Sequence, residues 1–268
     1  MKSLIDADVL LYECASVAEY PKDEPMKGFD FVKEVFDNRV RDIMAAVEAD
    51  SCTLYLTGDD NFRVKVAVTK PYKGNRKAEK PFHYHNLKAY IQSHEHCVTV
   101  DGMEADDQMS IDQTDDTVIC TRDKDLRMVP GWHYGWECGR QPEFKKTKVN
   151  DVGYIQITPN KKDIKGTGLS FFYAQLLVGD KTDNIPGLEG CGPVAAWDAL
   201  GTRSLTPAQM LDSVVHEYTA LYGDRWKERL TEQAQLLWMV REVDDEGKPV
   251  MWEYDDAVRY AEMLKEVP

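Results

Sequence analysis

Eight acidic residues fall in four short groups: Asp6; Glu104, Asp106 and Asp107 in the run EADD; Asp123 and Asp125 in DKD; and Asp180 and Asp183 in GDKTDNIPGLEGCG. Asp123 and Asp125, two apart, point the same way in extended chain. Asp180 and Asp183, like Glu104 and Asp107, are three apart and share a face in a helical turn. Eight carboxylates in one place repel one another unless cations neutralise them. Oxygen-only donors suit hard divalent ions, Mg²⁺ or Mn²⁺. Two such ions about 4 Å apart can hold the attacking water and the leaving oxygen of an in-line phosphodiester displacement. The chemistry indicated is metal-dependent hydrolysis of a nucleic-acid backbone. Singly, each group has a plainer meaning: acids at helix starts serve the dipole, and a D-x-D after a strand is a turn. Their joint occurrence at element boundaries carries the reading.

Such chemistry needs a grip on phosphate. Between Arg63 and Lys80 stand seven basic residues and one acid, Glu79, with aromatics interleaved. Lys73 and Arg76, in PYKGNR, are spaced to face one scissile phosphate and stabilise the charge that develops on it. Tyr72 offers a ring for a terminal base to stack on. Arg63 and Lys77 extend the basic stretch. Gly187, Gly190 and Gly192 let backbone amides approach a phosphate closely. A helix–hairpin–helix grip of this kind holds duplex DNA by its backbone, without reading sequence.

The elements that must position these groups alternate. Short β-branched runs at 3–5, 52–57, 97–100 and 117–120 read as strands. Apolar spacing at 29–47 is helical, 81–95 reads as a helix, and Glu104 opens another. Alternating strands and helices predict a largely parallel sheet covered on both faces, with Asp6 and the DKD pair at strand ends. Ligands bind at that edge of such sheets. Residues 130–159 read as a β-rich excursion or sheet edge. Helices follow at 169–178, 193–200, 207–222 and 224–240, then a short strand at 250–252 and a last helix from Asp255. The division expected is an α/β core over 1–165 and a helical DNA-binding region over 166–268 that also contributes Asp180 and Asp183 to the site.

The chain has 268 residues, 43% hydrophobic and 30% charged, as in globular domains. No apolar run is long enough to cross a membrane, and acids interrupt the apolar N-terminus, against a secretory signal. Six scattered cysteines without C-x-x-C fit reduced thiols in a cytosol. The net charge of −14 does not exclude nucleic acid, because the distribution of charge matters more than its sum. The pairs His83/His85 and His94/His96 lack zinc-site spacing and read as surface or packing residues.

With these residues in place, GDKTDNIPGLEGCG resembles the signature of the 5′-nuclease superfamily: flap endonucleases, the 5′→3′ exonuclease domain of bacterial DNA polymerase I, and phage relatives. LIDAD resembles the family's first-strand aspartate, FR…YKGNR its substrate-gripping element, and EADD and TRDKDL its central acids. The length is most like a stand-alone phage exonuclease. The resemblance implies a PIN-like α/β fold with a C-terminal helix–hairpin–helix (helix-three-turn-helix) motif. It implies a divalent-metal-dependent 5′→3′ exonuclease or flap endonuclease acting on duplex DNA with a free 5′ end, nick or flap, and on RNA–DNA hybrids. It places the work in phage DNA replication, recombination or host DNA degradation, as a monomer in the host cytoplasm. Asp6, Glu104, Asp106 and Asp107 would mainly build one metal site, and Asp123, Asp125, Asp180 and Asp183 the second. Lys73 and Arg76 would contact the scissile phosphate, and Asp6, Asp107 and Asp125 would serve catalysis. The glycine hairpin would hold the duplex, with a bound K⁺.

Three features depart from the family. Its second strand ends in Phe-Asp, where this chain reads Leu56-Thr57-Gly58-Asp59-Asp60, so Asp59 is the candidate replacement. Val194 stands where the hairpin usually has Lys. Only 27 residues separate Arg76 from Glu104, room for a short arch at most. Two rivals stand beside this reading. LIDADVLL also resembles the first motif of haloacid-dehalogenase-type phosphatases, with Asp6 as nucleophile and Asp8 as acid/base. That leaves EADD, YKGNR and the glycines without work, and Asp8 otherwise caps the helix that follows it. The other rival is a catalytically inactive DNA-binding homologue, which would be expected to have lost the carboxylates.

Overall fold

The structure is a computed structural model and describes every residue except 22, 24, 77, 78 and 265–268. In chain order the elements are β1 (Lys2–Asp6), α1 (Ala7–Val17), α2 (Phe29–Val47), β2 (Ser51–Asn61), α3 (Phe62–Val66), α4 (Tyr84–Gln92), β3 (Cys97–Gly102), α5 (Ala105–Ile111), β4 (Thr117–Cys120), β5 (Gly131–Gly135), β6 (Phe144–Val149), β7 (Tyr154–Ile157), β8 (Ile164–Thr167), α6 (Gly168–Val178), α7 (Pro193–Leu200), α8 (Pro207–Tyr222), α9 (Trp226–Leu237) and α10 (Tyr254–Met263). They fall into two compact units, neither of them a single stretch of chain. The first is Met1–Asn61, Lys77–Leu126 and Gly131–Lys148; the second is Phe62–Arg76, Arg127–Pro130 and Val149–Pro268. The gripping segment YKGNR thus packs with the helical unit, which a single cut near residue 165 does not describe.

In the first unit six strands form one sheet in the order β3-β2-β1-β4-β5-β6. β1 pairs in parallel with β2 and β4, β2 with β3, and β4 with β5. The sheet is mostly parallel, as expected. β5 and β6 belong to it with β6 at one edge, so the stretch read as a β-rich excursion or sheet edge supplies that edge and, through Tyr134 and Trp136, part of the core. Side chains alternate across the pleat. Ile5, Leu54, Leu56, Val118 and Cys120 face α1, α2 and α4 in one apolar core. Tyr55 points the other way and donates from its hydroxyl to Asp112 Oδ2 at the end of α5, 2.6 Å. Helices therefore cover both faces, which explains why the strands read as apolar runs. The chain order reverses across β1: β2 and β3 lie on one side, β4 and β5 on the other. The crevice beyond the carboxyl ends of β1 and β4 is a topological switch point.

The second unit centres on α6, in which ten of eleven residues are buried. A helix apolar all round belongs inside a core, and α7, α8 and α9 pack on it. The hydroxyl of Tyr218 on α8 donates to the Leu176 carbonyl at 2.6 Å. Thr206 caps α8 reciprocally with Gln209, and Pro207 opens it. β7 and β8 form an antiparallel pair. Residues 250–252, expected as a strand, form none, since only an isolated bridge joins Val243 to Pro249. The helix expected at 81–95 is shorter, Tyr84–Gln92, because Pro81 leads into a turn.

Candidate active site

At the switch point β1 ends on Asp6, which is 2% exposed. Asp6 Oδ1 accepts the Val9 amide at 3.0 Å and so caps α1. Its Oδ2 accepts the Thr121 hydroxyl at 2.6 Å. Thr121, the first residue past β4, in turn accepts the Asp123 amide at 2.9 Å, and Asp123 Oδ1 accepts the Asp125 amide at 2.8 Å. The ends of β1 and β4 are thereby tied through one hydroxyl. Burial first, then the charge of Asp8 and to a smaller degree that of Asp123, push the Asp6 carboxyl up to about 7. Asp125 lies 3.4 Å from Lys124 Nζ.

Glu104 is the N-cap of α5. It and Asp107 form a reciprocal capping box, in which Asp107 Oδ2 accepts the Glu104 amide at 3.1 Å. Asp107 is fully buried, while Glu104 and Asp106 are half-buried. The Ala105 amide donates to Thr57 Oγ1 at 3.0 Å, which fixes the start of α5 to β2. The cap of α1 is Asp6, contrary to the expectation that Asp8 caps it. Asp8 instead accepts the Thr57 amide on Oδ2 at 3.0 Å. Burial raises its carboxyl, and Glu104 adds to the rise. Asp59 is exposed, its amide turned to Asp101 Oδ1 at 3.1 Å.

The second unit builds its own group around residues 179–192. Asp180 N–H donates to the Ile185 carbonyl at 2.9 Å and Ile185 N–H to that of Asp180 at 2.7 Å, closing the loop. Asp180, 4% exposed, accepts the Thr182 and Asp183 amides on Oδ1 at 2.6 and 3.2 Å. Asp180 and Asp183 therefore lie in a closed loop, not on one helical face as their spacing suggested. Asp183 holds the gripping segment. Its Oδ1 accepts from Arg76 Nη2 at 2.6 Å, its Oδ2 accepts the Tyr72 hydroxyl at 2.8 Å, and Lys73 Nζ stands 3.6 Å away. Its carbonyl accepts the Lys73 amide at 2.9 Å. Asn75 and Asn184 add bonds from each segment to the other, to the carbonyls of Lys181 and Pro71. The spacing of Lys73 and Arg76 thus does converge them, on a carboxylate of the same unit.

Three expectations need correction or limits. Arg63, expected to extend the basic surface, is instead 1% exposed. Its guanidinium donates to the carbonyls of Leu236 at 2.9 Å and Trp238 at 2.8 Å, the bare C-terminal end of α9. Gly187 is in place for packing. Its φ is +66°, an added Cβ would stand 2.3 Å from the Gly179 nitrogen, and its amide is taken by Gln233 Oε1 at 2.9 Å. Gly190 (φ +78°) has open space about it, and Gly192 caps α7. Lys77 lies outside the described residues. Beside the loop, a cleft of about 540 Å³ is lined by Lys70, Lys181, Gly187, Gly190, Tyr222 and Arg229. The histidines pack: His83 Nε2 meets the Lys27 carbonyl, and His94 Nδ1 that of Tyr90. Sequence reasoning missed Thr57, Thr121 and Gln233. A hydroxyl two residues before an acid, at or near the end of an apolar run, was the available signal for the first two.

Among the described residues no three His, Cys, Asp or Glu side chains form a ready-made cage for one ion. Mg²⁺ keeps several waters and takes one or two carboxylates plus substrate phosphate. The donors are all oxygen, and burial first, then the charge of Asp8, raises the Asp6 carboxyl. The residues fit a hydrated hard cation.

No family profile matches the chain, and no curated protein sequence matches it. Solved structures do. A T5 protein co-crystallised with metal ions matches with a TM-score of 0.59 at 14% identity, over 97% of this chain and 90% of that one. The flap endonuclease of bacteriophage T5, in a pseudo-enzyme-product complex with DNA and metal ions, gives 0.53 at 13% identity over 88% and 98%. A mutant T5 5′-exonuclease gives 0.51 at 13% identity over 97% and 89%. At such identities the fold is what is shared.

Proposed function

We propose, for a chain with the PIN-like fold of the 5′ nucleases, that it hydrolyses DNA phosphodiesters at duplex 5′ ends, as a 5′→3′ exonuclease and structure-specific flap endonuclease. One observation carries the reading: acids from β1, β4 and α5 gather at the switch point of a parallel sheet, linked by Thr121 and Thr57. In the first unit Asp6, Glu104, Asp106, Asp107, Asp123 and Asp125 would hold Mg²⁺ or Mn²⁺, two ions being the number proposed; in the second unit Asp180 and Asp183 are the candidate ligands. When bound, such ions stabilise phosphoryl charge and lower the pKa of water.

The chain's own residues do the rest. Lys73 and Arg76 present the cations for the scissile phosphate, with Asp183 holding them until a phosphate replaces it. Tyr72 packs beneath Lys73, which lies 5.0 Å from its ring centroid. Gly190, Gly192, Lys70, Lys181 and Arg229 form the backbone grip for duplex, working without a basic residue at Val194. The same loop is the proposed K⁺ site. The reading extends to RNA–DNA hybrids, and to action as a phage-encoded monomer in the bacterial cytoplasm. Among the described residues no helix is long and apolar enough to cross a membrane.

The phosphatase alternative asks Asp6 to attack phosphorus with Asp8 as acid/base, and it leaves the EADD acids, Lys73, Arg76 and the glycines of residues 187–192 without work. Digestion of 5′-end-labelled blunt, nicked and flapped duplexes, with Mg²⁺ and with EDTA, tests the proposal. Metal-dependent release of short 5′ products is expected. Asp6→Ala and Asp123→Ala should abolish cleavage and spare DNA binding. Failure to cut any of the three duplexes, with hydrolysis of a small phosphomonoester instead, would overturn the reading.

A further inference from the structure

The strands flanking the switch point do not contribute equally. β1 ends on Asp6, β4 leads to Asp123, and β3 leads through Met103 into the acids of α5. β2 lies between β1 and β3, and its own acids, Asp59 and Asp60, are exposed. Its pairing with β3 shifts register between Thr57 and Asn61. Past that shift Asp59 is exposed, with its amide on Asp101, and a Cβ at Gly58 would collide with the same Asp101 carboxylate.

Asp8 stands where β2 leaves a gap. It reaches across from the first turn of α1, and its Oδ2 accepts the amide of Thr57 at 3.0 Å, the last residue of β2 before the shift. The hydroxyl of that same Thr57 accepts the first amide of α5. Asp8 is thus fixed to the residue that also sets the start of the EADD helix, with Asp6 two residues before it. Lys88 Nζ donates to the carbonyl of the same Thr57 at 3.2 Å. An acid serving only the dipole of α1 would need no partner on another strand.

We propose that Asp8, and not Asp59, is the carboxylate that the β2 corner supplies to the divalent-cation site. The inference rests on the metal-dependent reading above. It is tested by titrating Mn²⁺ into the whole protein without DNA, by calorimetry and by the loss of the free-ion electron-spin-resonance signal. The proteins compared are wild type, Asp8→Asn, Asp59→Asn and Asp6→Asn, with circular dichroism to establish folding. Asn keeps an oxygen for the Thr57 amide and removes the charge; Asp8→Ser is read in the same way if Asp8→Asn does not fold. Asp8→Asn should weaken Mn²⁺ binding at least tenfold or remove one ion, and Asp59→Asn should stay within twofold of wild type. If wild type binds and Asp6→Asn weakens it while Asp8→Asn leaves it unchanged, the assignment of Asp8 falls and the reading stands. If Asp59→Asn weakens it tenfold, Asp59 holds the role instead. If wild type binds no Mn²⁺ at millimolar concentration, both fall.

Discussion

Removing the Asp183 carboxylate tests whether the gripping segment is held by that residue. Asp183→Ala deletes three contacts: Arg76 at 2.6 Å, the Tyr72 hydroxyl at 2.8 Å and Lys73 at 3.6 Å. Hydrogen bonds to charged groups contribute about 1.5–3 kcal/mol and exposed ion pairs about 0–1 kcal/mol. The Arg76 side chain is 53% exposed against 17% for Asp183, so that pair counts at about 1 kcal/mol after screening. The half-buried Tyr72 bond adds about 1 kcal/mol, and Lys73, beyond hydrogen-bond length, a few tenths. The loss expected is about 2 kcal/mol, or roughly 4–8 °C in Tm for a protein of this size. Urea unfolding followed by tryptophan fluorescence measures it, since Trp197, Trp226, Trp238 and Trp252 all belong to the helical unit. A double-mutant cycle then isolates one contact. Tyr72→Phe alone should cost about 1 kcal/mol, but only a few tenths in the Asp183→Ala background. If Asp183→Ala unfolds within about 0.5 kcal/mol of wild type, or the two changes simply add, the loop is held by its backbone bonds and the argument fails.

Three further outcomes follow from the same contacts. Arg63→Met keeps the volume but leaves the Leu236 and Trp238 carbonyls unpaired inside, and should cost about 3 kcal/mol; a chemical-denaturation midpoint equal to that of wild type would contradict its capping role. Gly187→Ala forces a Cβ onto the Gly179 backbone at φ +66° and should cost at least about 2 kcal/mol, seen as a lower Tm. Burial pushes the Cys14 thiol up to about 12 and the Cys120 thiol higher still. At pH 8, below both values, each is protonated and lacks the nucleophilic thiolate. A disulfide reagent should therefore spare both in the native protein and count all six free cysteines in denaturant; rapid native labelling of all six would refute the burial.

The sheet was legible because parallel strands buried on both faces read as apolar runs, and an acid that stops such a run marks its end. Asp6 and Asp123 were found that way. Arg63 was not, because a basic residue beside a phenylalanine reads the same whether it meets phosphate or the carbonyls at a helix end, and the partner lies some 170 residues away in sequence. Gly187 was read as a phosphate cradle, since glycine patterns report only that backbone comes close to something. Here the something is Gly179. Residues 250–252 have strand composition, but composition cannot supply a neighbouring strand. Asp59 was the candidate for the second-strand acid, and the register shift of β2 among the residues around it could not be read from composition.

The Thr121 link has a direction. A hydroxyl carries one proton, and the amide of Asp123 can only donate, so the Thr121 oxygen must accept there and send its proton to Asp6. Valine would match threonine in shape yet abandon an oxygen at one end and an N–H at the other. Serine would preserve both bonds. Position 121 therefore carries a chemical requirement as strict as that of its acidic neighbours. A search for chains of this design should look for a strand, a hydroxyl and then D-x-D, rather than for the acids alone.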